Sequence, residues 1–389
     1  MKHRLFQFRY ALYALFIGLL TINIYLVYRV KTVVNASDQT PKKPLFAAVA
    51  KPLKSFKELV LSSYTVKKPE IALTAWIPEW DYTNGTESFY AHARTFSQIN
   101  PVWYLIDEDG QLESTKYAGE TELHRIAQGQ KVLFVPTIQE FDADYLHKIL
   151  ATKERTILHA TEILTIIEKY NLDGIDLDYE MIYERDKENF YVLLRMLSDE
   201  LHKKRKVLVI DVISKTSDDV SSYDSLVETR IVQDWTILAK YVDEIRIMAY
   251  DYANNTPGGS PINPYHWLED VIEYAITKAD PQKFILGTPL YSYTWNDEGL
   301  LGSHTYETIM ESIKRRKAVP EFDIESKEWK VLLSEDKEST GTGTQIVWYQ
   351  DMESFRHRLN LVKHYKLKGL ALWRLGGEDT RIYGLLEDN

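Results

Sequence analysis

The chain has no cysteine, so it can form neither a disulfide framework nor a thiolate metal site. Its ten histidines never fall into H-E-x-x-H or a similar ligand spacing, and no Gly-rich phosphate loop follows the first strand-like run. Neither a metal nor a nucleotide cofactor is expected. No internal repeat or low-complexity tract stands out. Positive charge is the scarcer sign: 47 Lys+Arg face 57 Asp+Glu, for a net charge of −10. The deficit is uneven, since residues 1–70 carry +9 and the remainder −19. An acidic body of that kind argues against nucleic acid as a partner.

Among 389 residues, 44% are hydrophobic and 12% aromatic, which suffices for a large globular core. Long apolar runs are rare, with one exception. Tyr10 to Tyr28 is a stretch of 19 residues without a charge, roughly 28 Å long as a helix and close to bilayer thickness. Lys2, Arg4 and Arg9 precede it, and Tyr10, Tyr13, Tyr25 and Tyr28 lie near its two ends. This reads as a single-pass anchor (residues 1–30) with a cytoplasmic N-terminus and the body outside. A cleaved signal ending near Val34-Asn35-Ala36, with secretion of the rest, is the competing reading. Residues 31–70 hold Pro41, Pro44, Pro52 and Pro69 among many lysines and read as a basic stalk. Such a stalk could lie on anionic headgroups or be a solvated linker.

From Ile71 onward, apolar runs alternate with helical patterns. Strands are expected at Ala72–Ile77, Val102–Ile106, Val132–Thr137, Gly174–Glu180, Val207–Ser214, Glu244–Tyr252, Phe284–Tyr291 and Gly369–Leu375. Helices are expected at Thr156–Tyr170 (burying Ile157, Ile163, Ile166 and Ile167), Glu188–Lys203 and Asp234–Tyr241. Eight such strands predict a TIM (β/α)8 barrel over residues 71–389, an α/β fold with its chemistry at the C-terminal strand ends. Residues of about 301–350 are too many for one crossover helix and read as a small α+β insertion between strands 7 and 8.

The run Leu172-Asp173-Gly174-Ile175-Asp176-Leu177-Asp178-Tyr179-Glu180 is chemically the most specific. Period two puts Asp176, Asp178 and Glu180 on one strand face and Ile175, Leu177 and Tyr179 on the other. Like charges so close cannot all ionise away from water, so at least one carboxyl stays protonated near neutrality, fit to protonate a leaving group. A solvated acidic edge strand or a cation site would also hold three acids. The alternating Ile and Leu fit neither well.

This run resembles the D-G-x-D-x-D-x-E motif of glycoside hydrolase family 18, the chitinase-like enzymes, at every defined position. Met248-Ala249-Tyr250-Asp251 is similar to the family's M-x-Y-D, Leu372-Trp373 to its strand-eight tryptophan, and IVWYQDMES to the end of its usual insertion. Tyr291 and Trp295 in TPLYSYTW match its cleft aromatics more loosely, and GGSPINP and LGGEDTRIY look bacterial. The resemblance implies Glu180 as general acid and base. It implies Asp178 orienting a substrate acetamide, Asp176 sharing a proton with it, and Tyr250 bonding the acetamide carbonyl. Asp251, Trp373, Met248, Tyr291 and Trp295 would bind the sugar, and the substrate's own acetamide would be the nucleophile. Asp173 and Gly174 read as structural. The implied partner is an N-acetylated polysaccharide or oligosaccharide, chitin or peptidoglycan-type, met by a monomer. A non-catalytic chitinase-like glycan-binding protein is the alternative, although Glu180, which such lectins lose, is present. If Tyr250 points into the barrel, so does Arg246, and it needs a carboxylate there. The candidates are Asp176 and Asp211, with Asp211 expected as the chief partner, thereby setting the charge felt by Asp176; a strand bulge that turns Arg246 outward is the alternative.

Overall fold

In the computed structural model, residues 71–219, 226–252, 259–334 and 344–387 are described, all within the compact unit Val66–Asn389. The expected anchor and stalk lie outside the described residues. Eight parallel strands close into a barrel: β1 (Ala72–Ile77), β2 (Gln98–Ile106), β5 (Thr137–Glu140), β6 (Gly174–Tyr179), β7 (Val207–Ile213), β8 (Glu244–Met248), β9 (Phe284–Pro289) and β15 (Gly369–Trp373). The ring shuts through β1, which pairs with both β15 and β2. Short β3 (Leu112–Ser114) and β4 (Leu133–Phe134) flank β2.

The TIM barrel read from the sequence is therefore the fold. One expected strand differs in detail: Val132–Thr137 is broken, because β4 ends at Phe134 and pairing resumes at Thr137 beyond Pro136. A proline cannot donate to the ladder, so the break falls there. The eighth-position pattern also stops earlier than expected, at Trp373 rather than Leu375, and β8 stops at Met248.

Helices Lys153–Lys169 and Lys187–Lys203 pack on the barrel next to β6 and β7. The first is capped by the Thr152 hydroxyl, which accepts from the Arg155 N–H, and it buries His159, Ala160, Ile163 and Ile167. Ile157, expected inside, is 37% exposed, since the buried stripe follows positions 156, 159–160, 163 and 167 instead. Asp234–Tyr241 shortens to a single helical turn, Trp235–Leu238. Each fully buried Leu or Ile in these helix–barrel layers stabilises the fold by about 1.5–3 kcal/mol relative to exposure.

The insertion is larger than expected and begins at Tyr291, directly after β9. Its strands β10 (Tyr291–Asn296), β11 (Gly299–Thr305), β12 (Glu321–Asp323), β13 (Glu328–Leu333) and β14 (Gln345–Tyr349) form an antiparallel sheet in the order β11-β10-β14-β13-β12. Helix Tyr306–Arg316 covers its own small core of Ile309, Val331, Leu333, Val347 and Tyr349. A buried arginine ties the insertion to the barrel. Arg358, on helix Met352–Tyr365, donates to Glu328 at the start of β13 and to Asn263 in the loop after β8.

Candidate active site

The site grows from β6, whose inward row is Gly174, Asp176 and Asp178, with Glu180 one residue beyond the strand end. Gly174 is required by sterics: a Cβ there would stand 2.1 Å from the Val207 carbonyl oxygen of β7. Its absence lets the two strands meet and sets the register of everything above.

Asp176 and Asp178 are 0% and 3% exposed, so each needs partners. The neighbouring β5 supplies them rung for rung. Thr137 pairs with Asp176 and donates its hydroxyl at 2.8 Å, while Gln139 pairs with Asp178 and donates its amide at 2.8 Å. From β1, the Trp76 Nε1–H reaches Asp176 Oδ2 at 3.1 Å. From β2, Asn100 Nδ2 reaches the same oxygen at 3.3 Å.

Arg246 is fully buried, as the strand period requires, and of the two candidate acids it meets Asp176, while the preference for Asp211 is corrected. Nη1 meets Asp176 Oδ2 at 3.3 Å and Nη2 meets Glu244 Oε2 at 3.1 Å, and Lys368 Nζ also reaches Glu244, at 2.9 Å. Asp211 makes no bond to it; its Oδ2 accepts from Trp76 Nε1 at 3.1 Å. The reason is the same period of two: Glu244 occupies the inward position just before Arg246 on β8, and a guanidinium fork takes one carboxylate on each arm. The guanidinium also lies 5.4 Å from the Trp76 ring centroid.

Burial governs the proton affinities. It pushes the Asp178 carboxyl up to about 7, opposed by the Gln139 hydrogen bond and helped by the Asp176 charge. Burial and the charges of Asp178 and Asp251 push Glu180 well above the usual carboxylate range. For Asp176, burial raises the value despite the opposing Arg246 charge. Burial and the surrounding carboxyls keep the Tyr250 phenol neutral, hence a donor.

These groups converge on a cavity of about 620 Å3 at the C-terminal ends of the strands, within the size range of ligand pockets. Asp178, Glu180, Asp211, Met248, Tyr250 and Trp373 line it. Room for the Tyr250 ring depends on Gly287 of β9, where a Cβ would come within 3.0 Å of that ring. Trp373 meets the edge of Trp76 with centroids 5.8 Å apart. Asp251 sits in the left-handed region at φ 59°, a conformation that Asp tolerates better than most side chains. It accepts from Tyr291 and, at 2.7 Å, from Tyr293. Asp251 and Trp373 also border an adjoining hollow of about 250 Å3, whose lining includes Tyr291, Tyr293, Trp80 and Arg374.

The arrangement thus offers a protonated acid at the mouth of a cleft, a second carboxyl able to change charge near neutrality, a neutral phenol, and a tryptophan wall. Residues 56–378 match the profile of glycosyl hydrolases family 18. The chain belongs to that family. This family 18 domain is a glycosidase by its relatives as well. It is 23% identical to the uncharacterised glycosylase YvbX of Bacillus subtilis over 63% of this chain and 70% of the relative. It is 25% identical to the cortical fragment-lytic enzyme of Bacillus subtilis, over 69% of this chain and 62% of the relative. In fold it is similar to the spore cortex-lytic enzyme SleL of Bacillus megaterium QM B1551, at TM-score 0.72 and 20% identity over 91% of this chain and 79% of that one.

Of the residues singled out in the sequence, Asp178, Glu180, Met248, Tyr250, Asp251 and Trp373 line the main cavity. Asp176 supports them from below, and Tyr291 borders the smaller hollow. Trp295 does not reach either space. It is fully buried with Ile262 and Trp348, covered by the loop after β8, where Gly259 lies against its ring. Sequence reasoning missed Trp76, Asn100, Thr137 and Gln139, the donors to the acids, and the rim aromatics Trp80 and Phe141, which are 69% and 51% exposed. The rim pair had a signal: each is an aromatic placed just after a barrel strand ends.

Proposed function

We propose that this glycosidase cleaves β-1,4 linkages next to N-acetylhexosamine, in chitin oligomers or peptidoglycan-type glycans, with the substrate's acetamide as nucleophile and retention of configuration. The observation that carries the reading is the meeting of Asp178, Glu180 and Tyr250 in one cavity walled by Trp373. Glu180, kept protonated by burial and by the acids beside it, gives its proton to the glycosidic oxygen as that bond breaks. The acetamide oxygen closes on the anomeric carbon, and no protein carboxylate becomes bonded to the sugar, unlike the two-carboxylate scheme. Asp178 accepts the amide N–H and, as an anion, balances the oxazolinium-like cation. Tyr250 donates to the acetamide carbonyl, and Asp176 shares a proton with Asp178 and tunes it from its place beside Arg246. Water then opens the ring, losing its proton to the Glu180 carboxylate, which restores the acid.

The cortex-lytic activity in the names of its relatives makes peptidoglycan the first glycan to try. Residues 71–389 are incubated with peptidoglycan and with chitin oligomers, and the products are weighed by mass spectrometry. Glu180→Gln is expected to lose ~10² to 10⁴ in rate, or more, while oligosaccharide affinity stays nearly unchanged. Equal rates for variant and wild type would remove Glu180 from its role. Binding of an acetamido sugar with no hydrolysis by either protein would instead favour the non-catalytic glycan-binding reading. Cellobiose-type oligomers, which lack the acetamide, are expected to be inert. We place the body on the extracytoplasmic side of the cell membrane, held by the Tyr10–Tyr28 segment.

A further inference from the structure

Among the described residues, Asp211 is the carboxyl at the cavity floor to which the mechanism above gives no task. It is 1% exposed and lies on β7. β6 and β7 pair in parallel with Asp176 against Val209 and Leu177 against Ile210. The same register, carried one rung further, sets Asp178 beside Asp211, on strands about 4.8 Å apart. Both side chains line the cavity.

The groups facing Asp211 are Asp176 and Asp178 from β6, Arg246 from β8, Tyr250 just past the end of β8, and Trp76 from β1. Arg246 is the cation among them, in register with Asp211, yet its two arms are taken by Asp176 and Glu244. The Trp76 Nε1–H is divided between Asp211 Oδ2 and Asp176 Oδ2, at 3.1 Å to each. The buried Oδ1 atoms of Asp211 and Asp178 have no hydrogen bond to any described residue. Two carboxylates side by side on neighbouring strands, with no cation bonded to either, cannot both be charged.

We propose that Asp211 is a fourth working carboxyl of this site, protonated on Oδ1 and donating that O–H to Asp178, which is thereby held as the anion that the substrate amide and its cationic intermediate require. Asp211 touches no reacting atom and is a positioning residue acting through Asp178. No proton is transferred in this step. The hydrogen bonds agree with it: Asp178 already accepts the Gln139 amide at 2.8 Å, whereas Asp211 has only a share of the Trp76 N–H, so the proton of the pair rests on Asp211. Burial, together with Asp176 and Asp178, raises Asp211 well above the carboxylate range.

The inference rests on the role given to Asp178 above, and its tests separate the two. Asp211→Asn keeps a donor of nearly the same shape, while Asp211→Ala removes it. In Asp211→Ala the acid limb of the kcat/KM profile is expected to move to higher pH, with a loss of about tenfold or more at mildly acid pH, the scale of one hydrogen bond to a charged group. Asp211→Asn is expected to restore both the limb and the rate. Equal shifts in the two variants, or none in either, would overturn the proposal. Infrared difference spectra at neutral pH need no substrate. The wild type should show a carboxylic-acid carbonyl band, shifted in D2O, that Asp211→Asn lacks. An unchanged band would mean an ionised Asp211 and end the idea, even where Asp211→Ala does not fold. Absence of all glycosidase activity in the wild type would instead strike the functional reading and leave the infrared answer standing.

Discussion

Folding carries the Asp178 carboxyl out of water, where its value is about 3.9, into a place where burial lifts it to about 7. Between those two values the native state binds the proton more tightly than the unfolded chain does. Stability contributed by this group is therefore fullest below about 4, falls as pH rises through that window, and is lost above about 7. At roughly 1.4 kcal/mol per unit, the swing is a few kcal/mol at most. Asp178→Asn cannot titrate, so it should be more stable than the wild type at pH 8, with the gain shrinking towards pH 5. Urea unfolding at both pH values checks this, and a gain that is constant or larger at pH 5 would refute the assignment. The same variant should lose most hydrolysis, because the amide cannot balance a cation. The site thus holds a group that the fold would be easier without.

At the scale of elements, β8 shows how one strand builds a charge relay through the barrel. Its inward row begins Glu244, Arg246, Met248, and it joins Lys368 at one end to Asp176 at the other. Arg246→Met would leave Asp176 and Glu244 buried and short of a cation, at a cost of about 3–5 kcal/mol. The measurement is the urea midpoint at pH 7; a shift of less than about 1 kcal/mol would show that the pair is replaceable by an apolar chain. The difference between what the sequence revealed and what it hid follows from the same geometry. Alternation within one strand made the row Asp176, Asp178, Glu180 legible and put Arg246 inside. The same alternation puts Glu244 beside Arg246, a pairing that was legible and overlooked, whereas Trp76 as shared donor and the rung joining Asp178 to Asp211 depend on register between strands and were out of reach. Trp295 has the right alternation for the cleft, and what hides it is a loop distant in sequence. The split at Pro136 was written in the chain and simply outweighed by its apolar neighbours.

At the scale of the whole molecule, charge and hydropathy divide the chain in one place. Residues 1–70 carry +9 and the uncharged 19-residue run, whereas the rest carries −19. If the run spans a bilayer, as we propose, Lys2, Arg4 and Arg9 remain on the cytoplasmic side, and the acidic barrel is repelled by the same anionic headgroups that attract the lysines of residues 31–70. Two forces hold such a chain, and salt separates them. A basic stalk alone is released when the Debye length falls to about 3 Å near 1 M salt, whereas a helix in hydrocarbon is not. The full chain should accordingly pellet with membranes and stay there through a high-salt wash, coming off only in detergent, while residues 71–389 remain in the supernatant throughout. Release by salt would leave the stalk as the only membrane contact. A mature N-terminus at Ser37, read by sequencing of the cell-derived protein, would show that the run is a cleaved signal and that the glycosidase leaves the cell.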